Sequence, residues 1–179
     1  QVSNPLEGLD LPSAITRKTS YTGYLRRALR NGAATLDADK PFGEQPYIMV
    51  TAGGGGDGEL MFDWVLRAYE NDSAQPVPAF FMFGPFLDPD LVSQFTARIE
   101  THVDAPFWFA AGIVAMGGYN TVCEILSFDR PSLIVPRTKP RLEQFLRASR
   151  MQEMGLVKML VPEAADVDQT SLPDWKVMA

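Results

Sequence analysis

Short apolar segments rich in β-forming residues alternate along this chain with amphipathic segments, and this alternation limits the folds that the chain can adopt. Buried strands are predicted at residues 47–52, 78–83, 107–116, 132–135 and 156–161. Helices are predicted at residues 59–70, 91–100, 121–128 and 142–153. Strands that are apolar throughout and separated by helices are typical of a parallel sheet covered on both faces. The sequence therefore predicts an α/β fold with helices on both faces of a parallel sheet.

The composition excludes several classes of protein. The 179 residues are 46% apolar, which is enough to form one hydrophobic core. The net charge of −6 argues against a broad nucleic-acid-binding surface. Cys123 is the only cysteine, so neither an internal disulfide nor a cysteine zinc site can form, and we expect it to be a small packing residue. His102 is the only histidine and has no nucleophile motif beside it, so we expect an ordinary surface or loop residue rather than a catalytic one.

The ends of the chain give expectations about its context. The sequence shows no secretory leader and no apolar stretch of membrane-spanning length, so we expect a cytoplasmic protein without a transmembrane segment. It begins with Gln1 rather than methionine, which suggests a fragment of a longer protein.

Two glycine-rich turns each connect a predicted strand to a predicted helix. The first covers residues 53–58, and the second is the glycine pair at 117–118. Such turns allow backbone N–H groups to approach an anion, and the helix N-terminus adds partial positive charge. The first turn lacks the Lys-Ser/Thr ending of a P-loop. Phosphate binding and a flexible turn capped by Asp57 therefore remain alternatives.

Three carboxylate and amide side chains near these turns each have a structural and a functional interpretation. Thr121 and Glu124 fit a capping box, in which Glu124 would close the helix start. The Glu124 carboxylate is equally suited to accept two hydrogen bonds from a ribose diol. Glu143 and Gln144 open a later helix at the same sheet edge, where they would either bind sugar hydroxyls or form a solvated helix start.

Aromatic and basic residues outside the turns are also interpreted in two ways. The phenylalanines Phe80, Phe81, Phe83 and Phe86 are predicted to belong to the core of a strand, with residues 84–85 as the turn that ends it. Arg26 and Arg27 are either solvated or positioned to contact a phosphate from the linker side.

Together these segments resemble the C-terminal, donor-binding half of glycosyltransferase family 28. The matching pieces are residues 50–58, 84–86, 116–126, 131–137 and 143–144, within a region of about 45–160. The longest of them reads Met116-Gly-Gly-Tyr-Asn-Thr-Val-Cys-Glu124. The family includes the bacterial GlcNAc transferase that acts on the lipid-linked peptidoglycan precursor, together with a looser set of predicted glycosyltransferases. That enzyme has a serine in its glycine loop where this chain has only glycine and aspartate, so the resemblance favours the looser set.

The resemblance implies one half of a GT-B architecture, in which two Rossmann-like domains face each other across a cleft. Residues 1–45 would be the end of an N-terminal acceptor domain and the interdomain linker, and residues 46–179 the Rossmann-like domain that binds the nucleotide sugar, typically a UDP sugar. Glu124 matches the ribose-binding glutamate of the family. The other implied donor contacts are Gly54, Gly55 and Gly56 near the diphosphate, the helix start at Gly118, Tyr119, Asn120 and Thr121 facing that diphosphate, Glu143 and Gln144 at the sugar, and Arg27, or less securely Arg26, near the phosphates.

The implied activity is inverting transfer of a hexose from a nucleotide-diphosphate sugar, without a metal or other cofactor. The catalytic residues and the acceptor site would lie on the N-terminal domain, so the chain alone is expected to bind nucleotide weakly and to be inactive. Two alternatives remain open. One is a nucleotide-sugar epimerase of the same architecture, and the other is a non-catalytic partner subunit of a split transferase. The linker-like segment at residues 21–27 argues against the split form, because a stand-alone subunit has no need of it.

Overall fold

The computed structural model describes residues 10–28, 45–71, 77–98 and 110–161. Within them the strands are β1 (Ile48–Thr51), β2 (Ala79–Met82), β3 (Gly112–Ala115), β4 (Ser132–Ile134) and β5 (Lys158–Met159). The helices are α1 (Ser13–Thr16), α2 (Glu59–Asn71), α3 (Pro89–Thr96), α4 (Tyr119–Phe128) and α5 (Glu143–Glu153).

The five strands form one parallel sheet in the order β2-β1-β3-β4-β5. The first residue of β1, Ile48, lies between Ala79 of β2 and Gly112 of β3. From β1 the chain moves outward to β2 and then returns to β3 on the other side of β1, so the strand order reverses between β1 and β3. In open α/β sheets such a reversal opens a crevice at the carboxyl ends of the two strands, and ligands bind there.

Alternating side chains of the strands pack into two separate clusters, one on each face of the sheet. Met49, Ile113 and Ile134 point to the face that α4 and α5 cover. Val50 and Val114 point to the opposite face, which α2 and α3 cover. Burying a side chain of this size contributes about 1.5–3 kcal/mol, so both layers stabilise the sheet. The predicted α/β fold, a Rossmann-like parallel sheet with helices on both faces, is confirmed.

Three of the four phenylalanines predicted in the core contribute to packing. Phe80 is buried. Phe81 and Phe83 are half-buried and place their rings 6.3 and 5.0 Å from that of Phe62. The prediction is wrong for Phe86, which is 77% exposed. The chain leaves the sheet before it, in the turn closed by the Leu87 N–H donating to the Gly84 carbonyl.

Several element boundaries differ from the prediction for local reasons. Helix α3 begins at Pro89 instead of residue 91, because the Asp88 side chain accepts a hydrogen bond from the Asp90 N–H and proline suits the first helical position. The short, exposed helix α1 lies in the segment before the sheet, where no helix was predicted. His102 and the first residues of the strand predicted at 107–116 lie outside the described ranges. No helix in the described part of the chain has the length and apolar character needed to span a membrane.

Candidate functional site

The turns that follow β1, β2 and β3 meet at the carboxyl edge of the sheet. Gly53, directly after β1, has a positive φ of 71°, and a Cβ built there would lie 3.1 Å from Oγ1 of Thr121 in α4. The Thr51 hydroxyl accepts a hydrogen bond from the Gly53 N–H and fixes the start of this turn. A Cβ on Gly84, in the turn after β2, would collide with the Gly53 carbonyl oxygen. These glycines therefore allow three backbone segments to approach one another around the reversal point.

The second glycine turn sets where α4 begins. Gly117 has a positive φ of 80°, and Gly118 is the N-cap, with the first helical bond running from the Val122 N–H to the Gly118 carbonyl. Gly118 has no side chain, so no cap hydrogen bond forms. Within the described part of the chain, the first-turn N–H groups of Tyr119, Asn120 and Thr121 have no side-chain acceptor. Their partial positive charge is therefore available to a ligand.

The capping box predicted for Thr121 and Glu124 is wrong. Because the helix begins at Tyr119, Thr121 is its third residue and is buried. Glu124 lies in the second turn, where the N–H groups already bond within the helix. Its side chain is thus not used to close the helix start.

The Glu124 carboxylate lies half-buried on a face of α4 shared with Asn120 and Ser127. It forms no hydrogen bond or ion pair with any residue that the structure describes. Burial raises the pKa of Glu124 above its ordinary value, while the nearby Arg27 guanidinium acts in the opposite direction. The carboxylate oxygens are therefore available as acceptors, as contact with a ribose diol requires.

The segment before β1 runs along α4. The Arg27 guanidinium donates to Oδ1 of Asn120 at 2.7 Å, and the Arg27 backbone N–H donates to the Ser127 hydroxyl at 2.7 Å. The Tyr24 ring stacks on that of Tyr119, with centroids 5.6 Å apart. Arg26 is exposed and forms no hydrogen bond or ion pair within the described ranges. Of the two arginines, Arg27 thus contacts the start of α4, and its charge acts on Glu124.

Arg137 joins the first glycine turn to the start of α5. Its guanidinium is 2.5 Å from the Asp57 carboxylate and 2.8 Å from that of Glu143. The Arg137 guanidinium lowers the pKa of Glu143. The Asp57 carboxylate is therefore held by Arg137 and not by the start of α2.

The side chain of Gln144 stabilises the backbone at Arg137. It is buried, and its side-chain oxygen accepts the backbone N–H of Arg137 at 3.2 Å. Its amide nitrogen has no hydrogen-bond partner among the residues described. The structure thus brings Glu143 and Gln144 to the same edge as the glycine turns, with the Glu143 carboxylate already paired.

A cavity of about 300 Å³ opens beside the Arg137 bridge. Its walls combine apolar side chains from α2 and from the ends of β3 and β4 with the charged groups of the bridge. The lining residues are Asp57, Leu60, Met61, Met116, Val135, Pro136, Arg137, Thr138, Lys139 and Val161. The edge that carries Glu143 and Gln144 thus has room for a small ligand group.

Arg147, which was not among the predicted site residues, lies beside the second glycine turn. Its Nη1 donates to the Gly117 carbonyl oxygen at 2.8 Å. Arg147 follows Gln144 by three residues, a spacing that puts both on one side of α5. That spacing is the sequence signal that would have identified it.

Comparison with known protein families found no family model that matches this chain. A protein from Methanosarcina mazei described as an uncharacterized glycosyltransferase is 30% identical over 122 residues, covering 65% of this chain and 32% of that protein. A Rhodopseudomonas palustris protein is 26% identical over 159 residues, covering 82% of this chain and 42% of that protein. It is named UDP-N-acetylglucosamine--N-acetylmuramyl-(pentapeptide) pyrophosphoryl-undecaprenol N-acetylglucosamine transferase. The chain thus spans about a third to two fifths of the length of these relatives.

Solved glycosyltransferases share the fold. The kitacinnamycin glycosyltransferase matches with a TM-score of 0.54 and 18% identity, covering 87% of this chain and 38% of that one. The calicheamicin glycosyltransferase CalG4 matches with a TM-score of 0.52 and 23% identity, covering 69% of this chain and 31% of that one. The glycosyltransferase SnogD from Streptomyces nogalater matches with a TM-score of 0.51 and 18% identity, covering 99% of this chain and 46% of that one. These relatives and structural neighbours are glycosyltransferases, and this chain has the fold of one part of them.

Proposed function

We propose that this chain contains the donor-binding domain of a glycosyltransferase that uses a nucleotide-diphosphate sugar. The observation that carries the proposal is the crevice between β1 and β3. Two glycine turns flank it, the uncapped start of α4 faces it, and the Glu124 carboxylate lies one turn further along with no described protein partner. The glycosyltransferase relatives support this assignment, and the R. palustris protein's name includes UDP-N-acetylglucosamine.

In this proposal the diphosphate lies between the first glycine turn and α4. Gly54, Gly55 and Gly56 provide backbone that approaches it without a Cβ, and Gly118, Tyr119, Asn120 and Thr121 form the facing helix start. Glu124 follows Thr121 by three residues, about 4.5 Å along the helix axis. At that offset we expect its carboxylate to lie beside a ribose attached to the bound diphosphate, where its oxygens accept hydrogen bonds from the two ribose hydroxyls. Arg27 holds this helix start in place through its hydrogen bond to the Asn120 side chain.

The sugar is proposed to lie at the Arg137 side of the crevice. Glu143 and Gln144 provide acceptor and donor groups there, and the adjoining cavity gives the sugar space. Arg137 offsets part of the negative charge of the Asp57 and Glu143 carboxylates, which reduces their repulsion of the diphosphate.

The reaction breaks the bond between the sugar and the diphosphate. An acceptor hydroxyl gives its proton to a general base while its oxygen attacks the anomeric carbon from the face opposite the diphosphate, which gives inversion. The nucleoside diphosphate leaves with the bonding electron pair. Preorganised N–H groups of the two turns and the α4 dipole stabilise the negative charge that develops on it, without a metal. The acceptor site and the general base are proposed to lie on an N-terminal domain that precedes residues 46–179, with residues up to 45 as its end and the linker.

Calorimetric titration of the 179-residue chain with UDP, GDP and their sugars tests the proposal. We expect weak binding of at least one of them. Glu124→Gln should weaken this binding. Its matched control is Glu153→Gln, because Glu153 is exposed at the far end of α5 and, among the described residues, pairs only with Arg150. Absence of binding by any of these ligands at millimolar concentration would overturn the donor-site assignment.

A further inference from the structure

Arg147 holds a guanidinium against the turn that precedes α4. The side chain is half-buried, and its one hydrogen bond within the described residues goes to the Gly117 carbonyl. Gly117 is separated from the first helical residue by Gly118 alone. A guanidinium carries five N–H donors, so most of those on Arg147 remain without a described protein acceptor.

The charge of Arg147 is not compensated by a carboxylate in the described part of the chain. Arg137 contacts both Asp57 and Glu143. Arg150, one turn further along α5, pairs with Glu153. Arg147 instead binds a backbone carbonyl, which neutralises no charge. A positive charge is thus available beside the turn that leads into α4, in a protein whose net charge is −6.

A nucleoside diphosphate needs more positive charge than the helix start supplies. The N-terminus of a helix is equivalent to about half an elementary charge, whereas the diphosphate carries at least two negative charges. Arg137 adds little positive charge to the site, because the negative charge of its two carboxylate partners is larger than its own positive charge. A full positive charge near α4 would lie within the range over which charges interact at physiological salt, about 8 Å.

We propose that Arg147 is a diphosphate-binding residue, which supplies the charge that the leaving nucleoside diphosphate requires at the start of α4. This inference rests on the proposed function and adds a residue to that same site. Arginine suits the role because its planar fork can bind phosphate oxygens and the Gly117 carbonyl together. Gly117 then holds the side chain in place before the ligand arrives, which limits the entropy lost on binding.

Paired NMR titrations with UDP and uridine test this inference, with GDP and guanosine used instead if the chain prefers them. Arg147→Gln is expected to weaken binding of the diphosphate about tenfold while changing nucleoside binding little. Arg147→Lys is expected to recover part of the loss because it keeps the charge. Arg150→Gln, on the same helix, is the control and should bind both ligands as the wild type does. The difference in diphosphate affinity between the wild type and Arg147→Gln should also become smaller in 1 M salt, because salt screens the interaction between the charges.

The outcomes separate this inference from the proposed function. If the wild type binds the diphosphate and Arg147→Gln binds it equally well, Arg147 has no part in the site and the proposed function stands. If Arg147→Gln weakens diphosphate and nucleoside by the same factor, the residue only shapes the Gly117 turn, and the inference is overturned. If Arg147→Gln fails to fold, Arg147→Met, which keeps a long side chain without its charge, is titrated and judged by the same criteria. If the wild type binds neither ligand, the proposed function fails and takes the inference with it.

Discussion

Replacing Glu124 with glutamine separates its proposed ribose contact from a structural role. The change preserves the size of the side chain and removes its charge. Glu124 makes no hydrogen bond or ion pair with the described residues, so the substitution breaks no known protein contact. We therefore expect an effect on nucleotide binding that greatly exceeds any effect on stability.

The size of the binding effect follows from the hydrogen bonds involved. Two ribose hydroxyls donating to a carboxylate contribute about 1.5–3 kcal/mol each, and loss of the charge removes roughly half of that. The expected loss is about 1.5–3 kcal/mol, or about 10- to 100-fold in the dissociation constant. Stability at pH 7 should stay within about 0.5 kcal/mol of the wild type, or rise slightly.

The pH dependence of stability has a definite sign. Burial raises the pKa of Glu124 in the folded protein, so the folded state favours the protonated form. This stabilising preference is complete below the unfolded pKa and is lost as pH rises through the folded pKa. Glutamine cannot ionise, so Glu124→Gln should gain stability relative to the wild type as pH rises from about 4 to 7. Urea unfolding at several pH values measures the difference.

The decisive assay compares UDP with 2′-deoxy-UDP, which lacks one of the two hydroxyls. The wild type should prefer UDP, and Glu124→Gln should lose most of that preference, while Glu153→Gln should keep it. The reasoning is refuted if Glu124→Gln retains the wild-type preference. A loss of several kcal/mol of stability with unchanged binding would show instead that Glu124 is structural.

Three further predictions concern the first glycine turn, the core and the buried tyrosine that precedes β1. Gly53→Ala should lower the free energy of unfolding in urea by about 1–2 kcal/mol, because a φ of 71° is strained for alanine and the new Cβ would press on Thr121. Gly54→Ala is the control and should lose less stability, because no atom lies near its Cβ position. Phe62→Ala should lose about 3–5 kcal/mol, because Phe62 is 0% exposed, and a loss below about 1 kcal/mol would contradict the packing described. Burial raises the pKa of Tyr47 to about 12, so the wild type should lose stability as pH rises from 10 towards 12, and Tyr47→Phe should lose much less over that range.

Much of the fold could be predicted from the sequence because its signals are local. Each predicted strand is a largely apolar run, and each of the first four is followed by a segment with helical periodicity. The boundaries were less accurate because a single capping residue sets them: Asp88 starts α3 earlier than expected, and Gly118 starts α4 earlier. The second shift changed a functional interpretation, since it removed Glu124 from the helix start where the capping-box pattern had placed it.

The pairing of charges at the site could not be predicted, because it depends on contacts between distant parts of the chain. Asp57 and Arg137 are 80 positions apart, and nothing in either segment indicates that they meet. Both segments follow strands of the sheet and lie at the same edge, but the sequence does not show that Arg137 contacts two carboxylates while Arg147 contacts none among the described residues. That difference decides which arginine has charge to offer a diphosphate. Arg147, which was not predicted as a site residue, is therefore the residue whose substitution best tests how the crevice binds an anion.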